Sequence, residues 1–413
     1  MSGQLAANLP YHALTAIFSY AVDVPREIKP HGGRLMDWDS NESIASLALV
    51  CKGWAEAAST VLYRSVALLQ PGSGKRFLNT LHASPSLAGK VRYLVLSLGE
   101  ETASANEMLL SPEEYLASSL DLVAIIQRCS ATLTHLQLHP IHAGAREPLF
   151  AALHSMSELS TLVCSPRFCD PDGDMIDEEH EGGWGANLYS RTDLRELALP
   201  DRLRTLELDF ASSWDATVLP LQSTVPTKRL KQLRLRCDTN VDVLWAVLAQ
   251  CSELEVCELY FESMLPRDET TAALRPSAVT LKHLEFFSNP TLDDLAHFDS
   301  FALPIFDRLL PYYSQLEHLA VSATEVSTNV FRLLPPTLTS LEIQAFNHVS
   351  TFLYTDQLVE DLREPMYAQG LSSLRVNDAA EAWEGPDIQS LREACEARGI
   401  DFIFRPDSDP GFD

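Results

Sequence analysis

One short pattern, L-x-x-L-x-L, returns ten times between residues 91 and 376 and limits what this chain can fold into. It reads VRYLVL at Val91, LTHLQL at Leu133, LSTLVC at Leu159, LRTLEL at Leu203 and LKQLRL at Leu230. It continues as LEVCEL at Leu254, LKHLEF at Leu281, LEHLAV at Leu316, LTSLEI at Leu338 and LSSLRV at Leu371, and GIDFIF from Gly399 reads as a closing strand. Successive cores from Leu203 to Leu281 lie 27, 24 and 27 residues apart, a period typical of solenoids. Elsewhere intervals of 22 to 44 residues indicate enlarged repeats, and LRELAL at Leu194 comes too close to Leu203 for both to be full units. Alternation in L-x-L places two leucines on one strand face. The segments between cores hold helical stretches such as Val241 to Ala249 and Leu303 to Leu310. A strand plus a helix cannot bury its own apolar side, so the units must stack into a parallel sheet with helices outside. The expected fold class is α/β.

The same alternation names the residues on the opposite, concave strand face. They are Thr205, Glu207, Asp209; Gln232, Arg234, Arg236; Val256, Glu258, Tyr260; His283, Glu285, Phe287; His318, Ala320, Ser322; and Ser340, Glu342, Gln344. Neighbouring strands lie about 4.8 Å apart, so Glu258 should sit beside Glu285 and Tyr260 beside Phe287. An exposed aromatic pair next to two carboxylates has the makings of a binding patch. The candidate target-binding residues are therefore Glu207, Arg234, Arg236, Glu258, Tyr260, Glu285 and Phe287.

The first 70 residues differ in character. Leu14, Ile17, Phe18, Ala21 and Val22 keep helical spacing after Pro10, as do Ile44, Leu47, Cys51, Trp54, Ala58, Val61 and Leu62. With Leu9-Pro10, then Leu14, Ile17 and Phe18, then Val50-Cys51 with Trp54, then Leu62-Tyr63, this segment resembles an F-box. A longer link between the helices, residues 23–43, reads as an inserted loop. The remainder, 71–413, resembles the irregular leucine-rich repeats that commonly follow an F-box. The resemblance implies a substrate receptor of a Skp–cullin–F-box ubiquitin ligase. Such a subunit is not itself an enzyme: it holds a target near the transfer machinery. It implies a Skp adaptor and a cullin as partners, with Leu9, Pro10, Leu14, Ile17, Phe18, Val50, Cys51 and Trp54 as adaptor-facing candidates. Some of these must instead form the module's core. The alternative is a leucine-rich repeat scaffold with no ligase role, the helices merely capping the solenoid.

Charge narrows the partners. The net charge is -26, yet residues 1–70 hold five basic and six acidic side chains, so nearly all the excess acid lies in the repeats. That disfavours a nucleic-acid backbone as partner and suits a basic protein. No apolar run is long enough to span a bilayer. Eight cysteines without a C-x-x-C pair read as reduced, mostly buried thiols in a cytoplasmic or nuclear protein. Signals that resemble chemistry are incomplete. DPDGDMIDEEHE at 170–181 has the carboxylates of a calcium hand but Met175 where the loop needs glycine. Gly72-Ser73-Gly74-Lys75 lacks the rest of a phosphate loop. Cys164, Cys169 and His180 fall short of a zinc set, and His283 and His318 have no evident third ligand. No metal, no cofactor and no catalytic residue are expected.

Overall fold

The structure is a computed structural model that describes residues 9–21, 45–69, 72–96, 112–138, 145–164, 200, 202–210, 229–237, 245, 248–261, 265–288, 304–345, 355–378 and 385–406. The inserted loop at 23–43, the acidic run at 170–181 and LRELAL at Leu194 lie outside these residues. The chain divides into two compact units, Met1–Leu162 and, for nearly all the rest, Gly182–Phe412.

The first unit opens with α1 (Tyr11–Ala21) and α2 (Lys52–Leu62). The Pro10 carbonyl accepts from the Ala13 and Leu14 N–H groups at 3.0 Å, so the proline stands where its missing N–H costs nothing. Leu14 and Phe18 of α1 pack on Ala57, Ala58 and Val61 of α2, with Leu47, Ala48, Trp54 and Leu62 partly buried against them. Sequence spacing suggests one continuous helix from Ile44 to Leu62. Instead, residues 45–48 are helical, 49–50 turn, and Cys51 is extended (φ -162°, ψ 167°) at the start of α2. Its carbonyl accepts from Trp54 and Ala55, so the break is a helix start that leaves Leu49 and Val50 pointing outward. Next come β1 (Ser65–Leu68), α3 (Ser73–Ala83), β2 (Tyr93–Leu96), α4 (Pro112–Cys129), β3 (His135–Leu138), α5 (Arg146–His154) and β4 (Thr161–Cys164). β1, β2 and β3 pair in parallel, with Leu94 beside Leu136. The Ser160 and Thr161 N–H groups join β4 to β3 through the Thr134 carbonyl. The sheet therefore begins at Ser65, inside the segment that resembles an F-box. Ser73 to Lys75 form the first turn of α3, behind Gly72 in the left-handed region (φ 72°).

The second unit holds β5 (Thr205–Phe210), β6 (Gln232–Cys237), β7 (Val256–Phe261), α6 (Arg267–Leu274), β8 (His283–Ser288), α7 (Ile305–Leu309), β9 (His318–Ser322) and α8 (Val330–Leu333). β10 (Ser340–Ala345), α9 (Thr355–Arg363), β11 (Ser373–Asp378), α10 (Gly385–Arg398) and β12 (Asp401–Pro406) complete it. Strands β5 to β12 lie in chain order and pair in parallel. The expected α/β repeat architecture is what forms, an array of the leucine-rich repeat type. Register brings one core residue per repeat into a row: Leu206, Leu233, Cys257, Leu284, Leu319, Leu341 and Leu374. All are at most 2% exposed, and burying each such leucine contributes roughly 1.5–3 kcal/mol.

A recurring backbone device locks the stack. Before most strands, the preceding residue and the strand's first residue both donate N–H to one carbonyl of the preceding repeat: Lys231 and Gln232 to Arg204, Glu255 and Val256 to Lys231, Lys282 and His283 to Glu255. Where a threonine precedes the first leucine, its hydroxyl adds a bond. Thr132 donates to Val91 O at 2.9 Å, Thr280 to Leu254 O at 2.8 Å, and Thr337 to Leu316 O at 2.8 Å. Successive connecting helices pack on one another, tied by Arg332, which forks onto Asp361 at 2.8 Å through two nitrogens. Gly370 passes so close to the preceding turn that a Cβ would stand 2.1 Å from Pro336 O. No described helix is long and apolar enough to cross a membrane.

Candidate functional site

Two surfaces could meet a partner, one in each unit. In the second unit it is the strand face opposite the leucines. Its register follows the sequence expectation: Glu207, Arg234, Glu258, Glu285 and Ala320 form one row, and Tyr260 stands beside Phe287 with ring centroids 5.2 Å apart. Burial deepens toward the strand ends. Gln232 is exposed and Thr205, Val256, His283, His318 and Ser340, in the first row, are half-buried. Phe287 is only 9% exposed, Glu207 and Glu258 are buried, and Tyr260, Glu285 and Arg234 are half-buried. The aromatic pair expected to be exposed is thus mostly covered, and the accessible edge is the first row. Arg236 stands in register between Asp209 and Tyr260.

Charge on this face is matched pair by pair. Arg234 bonds Glu258 and lies 3.5 Å from Glu207, so one guanidinium serves two carboxylates. Glu342 accepts from Arg375 at 3.0 Å and from Asn377 at 2.6 Å. Glu258 and Glu285 are register neighbours, and each carboxylate turns to its own donors. Glu285 takes the Tyr260 hydroxyl on Oε2 and His283 Nε2, at 2.9 Å, on Oε1, with His318 Nε2 3.9 Å from that same oxygen. The two imidazoles stack at 4.3 Å and 12°. Burial raises the Glu285 carboxyl, but the hydrogen bonds from His283 and Tyr260 and the imidazole charges together outweigh it and lower it to about 2. Burial, helped by His283, pushes His318 down to about 4. The third group missing from the sequence reading of His283 and His318 is Glu285. The signal for it was present two residues along β8, on the same strand face.

In the first unit the adaptor-facing candidates separate into two sets. Leu14 and Phe18, each 2% exposed, are core, and Trp54 lies half-buried with its ring 5.4 Å from Phe18, edge to face. Cys51 is half-buried. Leu9, Pro10, Ile17 (51%) and Val50 (60%) are exposed, and Tyr11 and Leu49 are exposed beside them in sequence. Leu14 and Phe18 therefore belong to the module's core, with Trp54 partly buried against it.

Among the described residues, Cys129, Cys251, Cys257 and Cys395 are buried. Burial pushes the Cys129 thiol up to about 11 and that of Cys395 to about 12, which makes them poor nucleophiles.

No family model matches this chain, and no curated protein matches it. Among solved structures it is similar to a Bacteroides fragilis protein determined as a structural-genomics target. The identity is 11%, over 83% of this chain and 85% of that one, with a TM-score of 0.36. So distant a likeness carries no argument, and the fold rests on the strands and register above.

Proposed function

We propose that this chain is a non-enzymatic interaction scaffold that recognises a partner protein on the polar strand face of its repeats. One observation carries this reading: the register lines up polar and aromatic side chains from successive strands, with Gln232 exposed and the rest of the first row half-buried. A pre-formed, rigid row of this kind presents contacts to a partner without an ordering cost. The excess acid of the repeats suits a basic partner by steering its encounter.

A second reading adds an adaptor. The chain would be the substrate receptor of a Skp–cullin–F-box ligase, docking through the helical module. Ile17 and Val50 favour it, because both belong to the F-box-like motif and both stand exposed. Affinity capture separates the readings. Wild type is compared with Gln232→Arg/Ser340→Arg on the strand face and with Ile17→Asp/Val50→Asp on the module. The scaffold reading expects the strand-face variant to lose specific partners by at least about tenfold, a change near 1.4 kcal/mol. The receptor reading further expects a Skp adaptor with wild type and its loss with Ile17→Asp/Val50→Asp. Recovery of no Skp adaptor by wild type removes the receptor reading and leaves the scaffold reading standing.

A further inference from the structure

We propose that His283, Glu285 and His318 form a binding site for a divalent transition-metal ion of the zinc class, on the polar face of β8 and β9. Three observations converge. His283 and His318 occupy paired register positions on adjacent strands, and Glu285 follows His283 by two residues on the same face. Their ligand atoms all lie within 4.8 Å of one another, with Glu285 Oε1 2.9 Å from His283 Nε2 and 3.9 Å from His318 Nε2. Tetrahedral zinc with bonds of about 2.0–2.2 Å sets its ligand atoms roughly 3.4 Å apart. The separations, at most 4.8 Å, would have to close by up to about 1.4 Å, with the two stacked imidazoles turning toward a shared point.

The surroundings fit the same ion. Tyr260 donates its hydroxyl to the other oxygen of Glu285, the outer-shell bond that fixes a metal-ligating carboxylate. Ala320, opposite Glu285 in the register, offers only a methyl group beside the carboxylate. The three ligands keep between 22% and 32% side-chain exposure, which leaves a fourth position for water or for a partner's donor atom. Two imidazoles with one carboxylate suit zinc, and oxygen-seeking magnesium or calcium poorly. The site does not depend on whether this face also binds a protein.

Titration calorimetry of the chelator-stripped full chain with zinc chloride alone tests the assignment. One equivalent of zinc is expected to bind, and His283→Ala and His318→Ala should each weaken it by about 100-fold. Tyr260→Phe should weaken it by roughly tenfold with the stoichiometry kept, the usual effect of losing an outer-shell partner. Melting each variant in chelator verifies that it folds. If a variant does not fold, the cobalt(II) spectrum of the wild type decides: nitrogen and oxygen ligation alone supports the site. A thiolate-to-cobalt band would overturn it, as would the lack of a saturable one-to-one isotherm or unchanged affinity in His283→Ala/His318→Ala.

Discussion

Replacing Leu14 and Phe18 together by aspartate is expected to unfold the helical module. Both side chains are 2% exposed and fill the space between α1 and Ala57, Ala58 and Val61 of α2. Truncating a buried leucine costs about 2–5 kcal/mol and a buried phenylalanine about 3–5 kcal/mol, before any charge is placed in the gap. Two desolvated carboxylates with no built partner add several more kcal/mol. The total rivals the whole stability of a typical domain, roughly 5–15 kcal/mol. Ile17→Asp/Val50→Asp touches solvent-facing positions and should stay within about 1 kcal/mol of wild type. Limited proteolysis between α1 and α2, with near-ultraviolet dichroism from Trp54 against Phe18, reads the difference. Equal protease resistance of the two double variants would show that Leu14 and Phe18 are not core. A loss of partner binding by Leu14→Asp/Phe18→Asp consequently says nothing of docking, and the exposed candidates Leu9, Pro10, Ile17 and Val50 address that question.

Glu325→Gln is expected to remove a stability loss that the wild type suffers as pH rises toward neutrality. Glu325 is fully buried in the short turn after β9. It accepts one bond, from Ser288 Oγ at 3.0 Å on Oε1, while Oε2 has no hydrogen-bond partner. Burial raises its carboxyl from 4.5 to about 7, against small opposing effects of Ser288 and Arg267. The sign follows from proton counting. Between 4.5 and about 7 the folded chain holds a proton that the unfolded chain has released, so stability falls with rising pH across that window. Below it the protonated group contributes no penalty; above it the buried charge costs roughly 3 kcal/mol. His318, lowered to about 4, acts in the opposite direction below its ordinary value of 6.5, so the comparison must be between wild type and variant. Urea unfolding from about pH 5 to pH 8 should show the variant's advantage growing to roughly 3 kcal/mol. Parallel curves for the two proteins would contradict the placement of this side chain.

The strand register was legible because alternation leaves no freedom: a leucine at each L-x-L position fixes the neighbour's face, and Glu258 does stand beside Glu285. The division of the helical module was not. Leu14, Ile17 and Phe18 all fit one apolar stripe, and only the placement of α2 decides that 14 and 18 turn in while 17 turns out. β1 escaped because SVAL holds no L-x-L pair, and its pairing with β2 is a long-range event. The covering of Phe287 escaped for a related reason, since burial at a strand's carboxyl end depends on distant chain and not on local pattern. The His283, Glu285 and His318 cluster needed only the same-face rule applied within one strand. The threonines ahead of Leu133, Leu281 and Leu338 were equally readable, as hydroxyls placed to reach the previous repeat.

Site-specific photocrosslinking tests the recognition face most directly. A photoreactive side chain replaces Gln232, exposed on the first row of the strand face, or Val279, exposed in the turn ahead of β8. With the partner proteins recovered by wild type, adducts are expected at 232 and not at 279. Adducts at 279 alone, or in equal yield at both, would contradict recognition through the polar strand face.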